Sequence, residues 1–179
     1  MMNKKIRFIT ETGVLLALLL ALQALTKPLG QLVTGSCVNT VLAVATLFAG
    51  LPSGLVIALI SPVAAYLLGI APQILTVPAI MVGNSAFVLC LHFLCKGTTL
   101  RQIAGWLTAA VAKFLTLYGM VGGLLCGVLA QPLLSSGALK PPMLQVLPAT
   151  FSWPQLVTAL IGGAVALLIV PVLRKALHK

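Results

Sequence analysis

Acid is what this 179-residue chain lacks: it has one carboxylate side chain, Glu11, and no aspartate, against eleven lysines and arginines. Paired carboxylates for acid–base catalysis, an Asp-rich Mg²⁺ or diphosphate site and a carboxylate proton relay are thereby excluded. No GxxxxGK[ST] motif occurs, so the chain carries no P-loop ATPase of its own. Charge of either sign is scarce, at 7% of residues, while 60% are apolar. A soluble domain has about 25% charged residues and less than half apolar. A soluble globular domain, a disordered tail and a disulfide-stapled secreted module all fail that comparison. What remains is an integral membrane protein that works by binding or conducting. The net charge of +10 has no soluble domain on which to form a nucleic-acid face, so it reads as topology.

A helix crossing a hydrocarbon core about 30 Å thick needs roughly 20 apolar residues. The hydropathy pattern predicts an all-α, polytopic membrane protein: a single transmembrane domain over 1–179 with six spans, near 8–26, 35–51, 54–70, 77–95, 103–130 and 155–173. Gly50-Leu51-Pro52-Ser53 separates the second and third spans and predicts a tight helical hairpin. The first span is read as retained, because Ala24-Leu25-Thr26-Lys27-Pro28 makes a poor cleavage site for a signal peptide. Lys4, Lys5, Arg7, Lys96, Arg101, Arg174, Lys175 and Lys179 fall on one side of such a bundle, and Lys27 and Lys140 on the other. The positive-inside rule then makes both termini cytoplasmic. Trp106 and Trp153 are expected at opposite interfaces as belt residues. The outer connections, 27–34, 69–77 and 131–154, are rich in Gly, Pro and Gln. The last is far longer than a simple link of about 2–8 residues, and loops of that length commonly form lids or binding surfaces.

Three groups of residues are candidates for function. Gly13, Ala17 and Ala21 form a small-residue ladder on the first helix, which suits close approach of another helix, either within this bundle or in a partner. Gly123 and Gly127 carry the same ambiguity, and Gly119 and Gly122 beside them clear space for either a helix or a ligand. Second, Gln31, Thr34, Ser36 and Asn39 straddle the start of the second helix, Gln73 and Thr76 precede the fourth, and Asn84 and Ser85 lie about 10 Å into it. An Asn inside a span needs a hydrogen-bond partner: another helix, water or a ligand. Interhelical glue accounts for each taken singly; their convergence at one depth favours a pocket.

Third is Lys113, ten positions into the fifth predicted span and close to the midplane. A lysine at that depth costs a few kcal/mol, about 3 on an insertion scale. Three readings are open: pairing with Glu11 through a bent lysine stem, snorkelling toward the inner edge, or an ammonium facing a ligand. Tyr118, a turn or more above it, is read as an amphipathic wall of the same pocket. Cys37, Cys90, Cys95 and Cys126 are read as apolar fillers, since Cys90-x-His92-x-x-Cys95 is not a zinc spacing. Met81 and Met120 are read as core, and His178 as an exposed terminal residue. No metal, cofactor or catalytic residue is expected.

In its architecture the chain resembles the substrate-binding (S) component of energy-coupling factor (ECF) type vitamin transporters. The likeness rests on chain length, six helices with both ends inside, pocket-like outer loops and the Ala17-Leu-Leu-Leu-Ala21 first helix. Gln31-Leu-Val-Thr-Gly-Ser-Cys-Val-Asn39 and Pro78-Ala-Ile-Met-Val-Gly-Asn84 look similar to one branch of that family. The resemblance implies a multi-pass protein of the bacterial plasma membrane that binds a vitamin or related micronutrient beneath the outer face, and a single buried cation with amide side chains suits an anionic one: a carboxylate-bearing vitamin, a lipoyl-like acid or a porphyrin with propionates. It implies docking through Gly13, Ala17 and Ala21 onto a transmembrane coupling (T) protein driven by two cytosolic ATPases. Gln31, Thr34, Asn39, Gln73, Asn84, Lys113 and Tyr118 become the substrate-binding candidates. A stand-alone channel or facilitator would need a continuous polar stripe, which the inner halves of spans two, three and six lack. A membrane enzyme has only His92 and Lys113 to work with, and a structural membrane partner does not require paired asparagines under elaborate loops.

Overall fold

In the computed structural model, which describes residues 4–70 and 73–177, the chain is a bundle of helices. Ala71 and Pro72, within the second outer connection, and His178 and Lys179, read above as terminal, lie outside the described residues. The helices are α1 (Lys4–Thr26), α2 (Gln31–Val44), α3 (Leu51–Leu67), α4 (Val77–Leu94), α5 (Thr99–Tyr118), α6 (Ala130–Ser135), α7 (Met143–Thr150) and α8 (Trp153–Ala176). No strand occurs among the described residues. α2 continues as a π-helical turn over Ala45–Ala49, and α5 as a longer one over Gly119–Val128. The 131–154 connection, expected to be a loop, instead folds around the short helices α6 and α7.

Among the described residues, five helical runs are long and apolar enough to cross a membrane: Lys4–Leu29, Gln31–Ala49, Ile74–Leu94, Thr99–Val128 and Met143–Ala176. α3, with 17 residues, is shorter and apolar, at the low end of what spans a bilayer. The second helix begins at Gln31 rather than near residue 35, so the polar cluster expected to straddle its start lies inside its first turns.

The bundle has two distinct ends. Thr46–Gly50, His92, Lys96 and Arg174 meet at one end, where Arg174 Nη2 donates to Leu47 O at 2.5 Å. The Thr12–Ser53 hydroxyl contact, 2.8 Å, brings the first half of α1 to the start of α3 at that same end. Lys27, Ile70 and Phe151 meet at the other. The reversal between α2 and α3 depends on Gly50, whose φ of 104° is costly for a residue with a Cβ, followed at once by Pro52 in the first turn of α3.

Leu42, Ala43, Ala45, Ile57, Ala58, Phe87, Val88, Leu91, Ala109, Ala110, Ala159 and Ala166 form the central core. A smaller cluster, including Leu117, Val121, Leu139 and Leu147, joins the π-helical part of α5 to α7. The outer shell is equally apolar: Leu168, Leu100, Leu67, Val172 and Ile9 are all more than 60% exposed. That inversion of a soluble surface is what a lipid-embedded bundle presents.

α2 and α8 make the most extensive pairing. Gly162 makes it possible. A Cβ there would sit 2.7 Å from Thr40 N and 2.8 Å from Asn39 C, on backbone that has no freedom to move aside. Its neighbour Gly163 receives the indole of Trp106, whose Nε1 donates to Leu160 O at 3.0 Å. Trp106 is therefore a wedge between α5 and α8, not the belt residue expected from its position; Trp153, 61% exposed, remains at the surface.

Candidate functional site

Lys113 lies midway along the 30-residue run Thr99–Val128 and is buried, at 3% exposure. Its Nζ donates to Asn39 Oδ1 at 2.5 Å and to Asn84 Oδ1 at 2.7 Å, both charge-assisted hydrogen bonds when the amine is protonated. The same nitrogen stands 5.6 Å from the centre of the Phe87 ring. α2, α4 and α5 thus converge on one cation, brought together by the close α2–α8 contact at Gly162 and by α4–α5 packing at Gly83 against Leu117.

Of the three open readings of Lys113, the pairing with Glu11 is not the one adopted. Glu11 holds Arg7 Nε at 2.9 Å on its own helix, one turn away. Nor does the lysine snorkel, since both oxygens that hold it lie in the bundle interior on Asn39 and Asn84, each 1% exposed. Hydrogen bonds to a charged group are worth about 1.5–3 kcal/mol each, and a cation over an aromatic face about 0.5–2. These offset several kcal/mol of desolvation, but no carboxylate neutralises the charge.

The orientation of Asn39 is set by a relay of hydrogen bonds. The Thr158 hydroxyl donates to Gln155 O at 3.1 Å and accepts from Asn39 Nδ2 at 3.1 Å. With its amide nitrogen committed to α8, Asn39 has only its oxygen to turn toward Lys113. Asn84 has no such anchor; its Oδ1 meets Lys113, and among the described residues its Nδ2 makes no hydrogen bond.

Above these three residues opens a cavity of about 170 Å³. Its floor is Asn39, Asn84 and Lys113; Gln155, 6% exposed, and Gln23 flank it, with Val38, Ile80 and Phe151 as apolar wall. At the mouth lie Lys27, Gln31 and Ile70. The Lys27 ammonium donates to Gly69 O at 2.6 Å, tying the first outer connection to the second across the opening. Past Asn84, α4 continues into Phe87, Val88 and Leu91, all fully buried, so packed side chains close the bundle below the floor.

The site residues expected from sequence divide into three groups. Gln31, Thr34, Asn39, Asn84 and Lys113 line this one cavity, although the Thr34 hydroxyl is committed to Thr26 O at 2.8 Å. Gln73 is elsewhere: its Nε2 donates to Ala138 O at 2.9 Å and fastens the second outer connection to the third. Tyr118 is also elsewhere, 48% exposed and stacked on Phe114 with ring centres 6.0 Å apart. The reason is helical phase. Five residues at about 100° each turn Tyr118 some 140° from Lys113, and Leu117 takes the inward position instead.

The glycines 119, 122, 123 and 127 lie in the π-helical stretch outside the cavity wall. Among the described residues no group of three His, Cys, Asp or Glu side chains gathers as a metal site, and the four cysteines are free thiols. The sequence reasoning missed Gln23, Gln155 and Thr158. Each is a polar side chain within an apolar helical run, the signal that had selected Asn39 and Asn84.

On α1 the small-residue ladder faces outward. Gly13, Ala17 and Ala21 are exposed, a Cβ built on Gly13 meets nothing within 4 Å, and the helix buries Thr12 and Leu19 instead. Internal packing, one of the two readings of this ladder, is therefore not its role in the bundle. No family model, curated protein or solved structure matches the chain.

Proposed function

We propose that the chain is the membrane-embedded substrate-binding subunit of an ATP-driven importer of the energy-coupling factor type. In this reading it crosses the bacterial plasma membrane six times with both termini cytoplasmic. It holds a vitamin or related micronutrient in the Lys113 cavity at the outer side. The observation that carries the proposal is a buried ammonium without a carboxylate at the floor of a blind cavity. Such a group serves a ligand that brings negative charge; a conducting pore would continue past it.

Two further features support the reading. Lys96, Arg101 and Arg174 gather away from the cavity, and the positive-inside rule assigns such a basic end to the cytoplasm. The outward ladder on α1 leaves a close-approach face unused by the chain itself, where a transmembrane coupling protein can dock. Two cytosolic ATPases acting on that partner supply the energy that this chain has no motif to harvest.

Reconstitution tests the proposal. Proteoliposomes holding the chain alone should retain cargo without transport, and ATP-dependent accumulation should begin only when the coupling protein and both ATPases are included. Uptake by the chain alone would overturn it.

A further inference from the structure

The cavity's unused hydrogen-bonding groups describe its occupant. We propose that the cargo is a compact monocarboxylate, about the size of one ring plus its acid group, carrying an N–H or O–H donor on its body. This rests on the importer-subunit reading and narrows it.

The argument begins with donors. An ammonium has three N–H groups, and two of those on Lys113 are taken by Asn39 and Asn84. The third has no oxygen acceptor among the described residues, where the Phe87 ring lies 5.6 Å away. The Asn84 Nδ2 group is also unspent, on a side chain whose oxygen is bonded to the same lysine. Two donors without acceptors, side by side and next to a positive charge, match the two oxygens of a carboxylate.

Acceptors lie higher up. Gln23 Oε1 is buried in the cavity wall with no hydrogen-bond partner among the described residues. An orphaned buried carbonyl is unfavourable until a donor reaches it, and a ligand N–H or O–H supplies that donor.

Charge and size narrow the class further. Lys113 is the cavity's one desolvated cation, because Lys27 at the mouth is exposed and screened by solvent. One desolvated positive charge calls for one negative charge. An engineered cavity of about 150 Å³ takes up benzene, so about 170 Å³ accommodates a single ring with a small substituent. A porphyrin with propionates, otherwise suited to a cationic site, is too large.

Four probes separate these claims when the melting of the purified protein in detergent is followed at constant ionic strength. Benzoate should raise the midpoint by about 3 °C at ten times its Kd, while benzamide leaves it unchanged. Pyrrole-2-carboxylate, which has a ring N–H, should bind about fivefold more tightly than furan-2-carboxylate, which lacks one.

Lys113→Gln should abolish the preference for acid over amide, and Gln23→Leu should erase only the pyrrole advantage. Should Lys113→Gln fail to fold, Asn84→Asp places a carboxylate beside the lysine in the same volume and should remove benzoate binding. Equal shifts with benzoate and benzamide, no shift with any probe, or benzoate binding that survives Asn84→Asp would each overturn the assignment. If it is overturned while reconstituted uptake still requires the coupling partners, only the cargo class falls. If unaided uptake is also seen, the importer reading falls with it.

Discussion

Two of the chain's groups of small residues meet opposite fates. On α1, Gly13, Ala17 and Ala21 look outward, and a methyl group added at Gly13 would touch nothing. On α8, Gly162 and Gly163 look inward, where an added Cβ would strike the α2 backbone and the Trp106 ring. In lipid, small residues gain nothing from burial as such; their value is the closeness they allow to a neighbouring helix. The α8 pair spends that closeness inside the chain, setting Asn39 against Lys113. The α1 ladder meets no helix of the bundle. One motif chemistry therefore closes a helix seam behind the cavity in one place and stays uncovered in another.

Substitutions at the two stripes break or sharpen this contrast. The largest effect is expected from Ala17→Trp, a bulky side chain in the middle of the outward ladder. It should abolish ATP-dependent uptake with the coupling partner while the isolated protein melts and binds ligand as before, because surface changes usually stay within about 0.5 kcal/mol. A fall in the melting midpoint of the isolated chain would assign the ladder to internal packing. Next comes Gly162→Ala. Forcing α2 away from α8 should cost about 1–3 kcal/mol, read as a lowered melting midpoint, with weakened ligand binding as Asn39 moves from Lys113. An unchanged midpoint would show that the α2–α8 seam has slack. Smallest is the same substitution at Gly13. Adding a methyl group to an open helical position should stabilise the isolated chain by up to about 1 kcal/mol, the opposite sign from Gly162.

The lining of the cavity was half legible in the sequence, and the helical phase explains much of the half that was not. Asn39, Asn84 and Lys113 announce themselves because polar side chains are rare and costly in apolar runs. That Lys113 would find amides rather than an acid was left open, and Glu11 was committed to Arg7 by the one-turn spacing on its own helix. Tyr118 was drawn in by its distance along α5, whereas the turn of the helix gives the inward place to Leu117. Gln73 was drawn in by composition and turned out to be a clasp between two outer connections. Trp106 followed a rule for interface aromatics, yet the gap at Gly163 took its ring into the bundle.

By itself the sequence determined the solvent of this protein, its helical class and the scarcity of acid that leaves a buried lysine without a carboxylate. Only the tertiary structure decided which face of each helix turns inward, and hence which glycines meet a neighbour and which amides meet Lys113. The physical reason lies in the bilayer. In water the buried face of a helix is marked by its apolarity, but in lipid the inward and outward faces are both apolar, so the composition of a span does not record its orientation. Packing geometry has to supply what hydrophobicity no longer encodes.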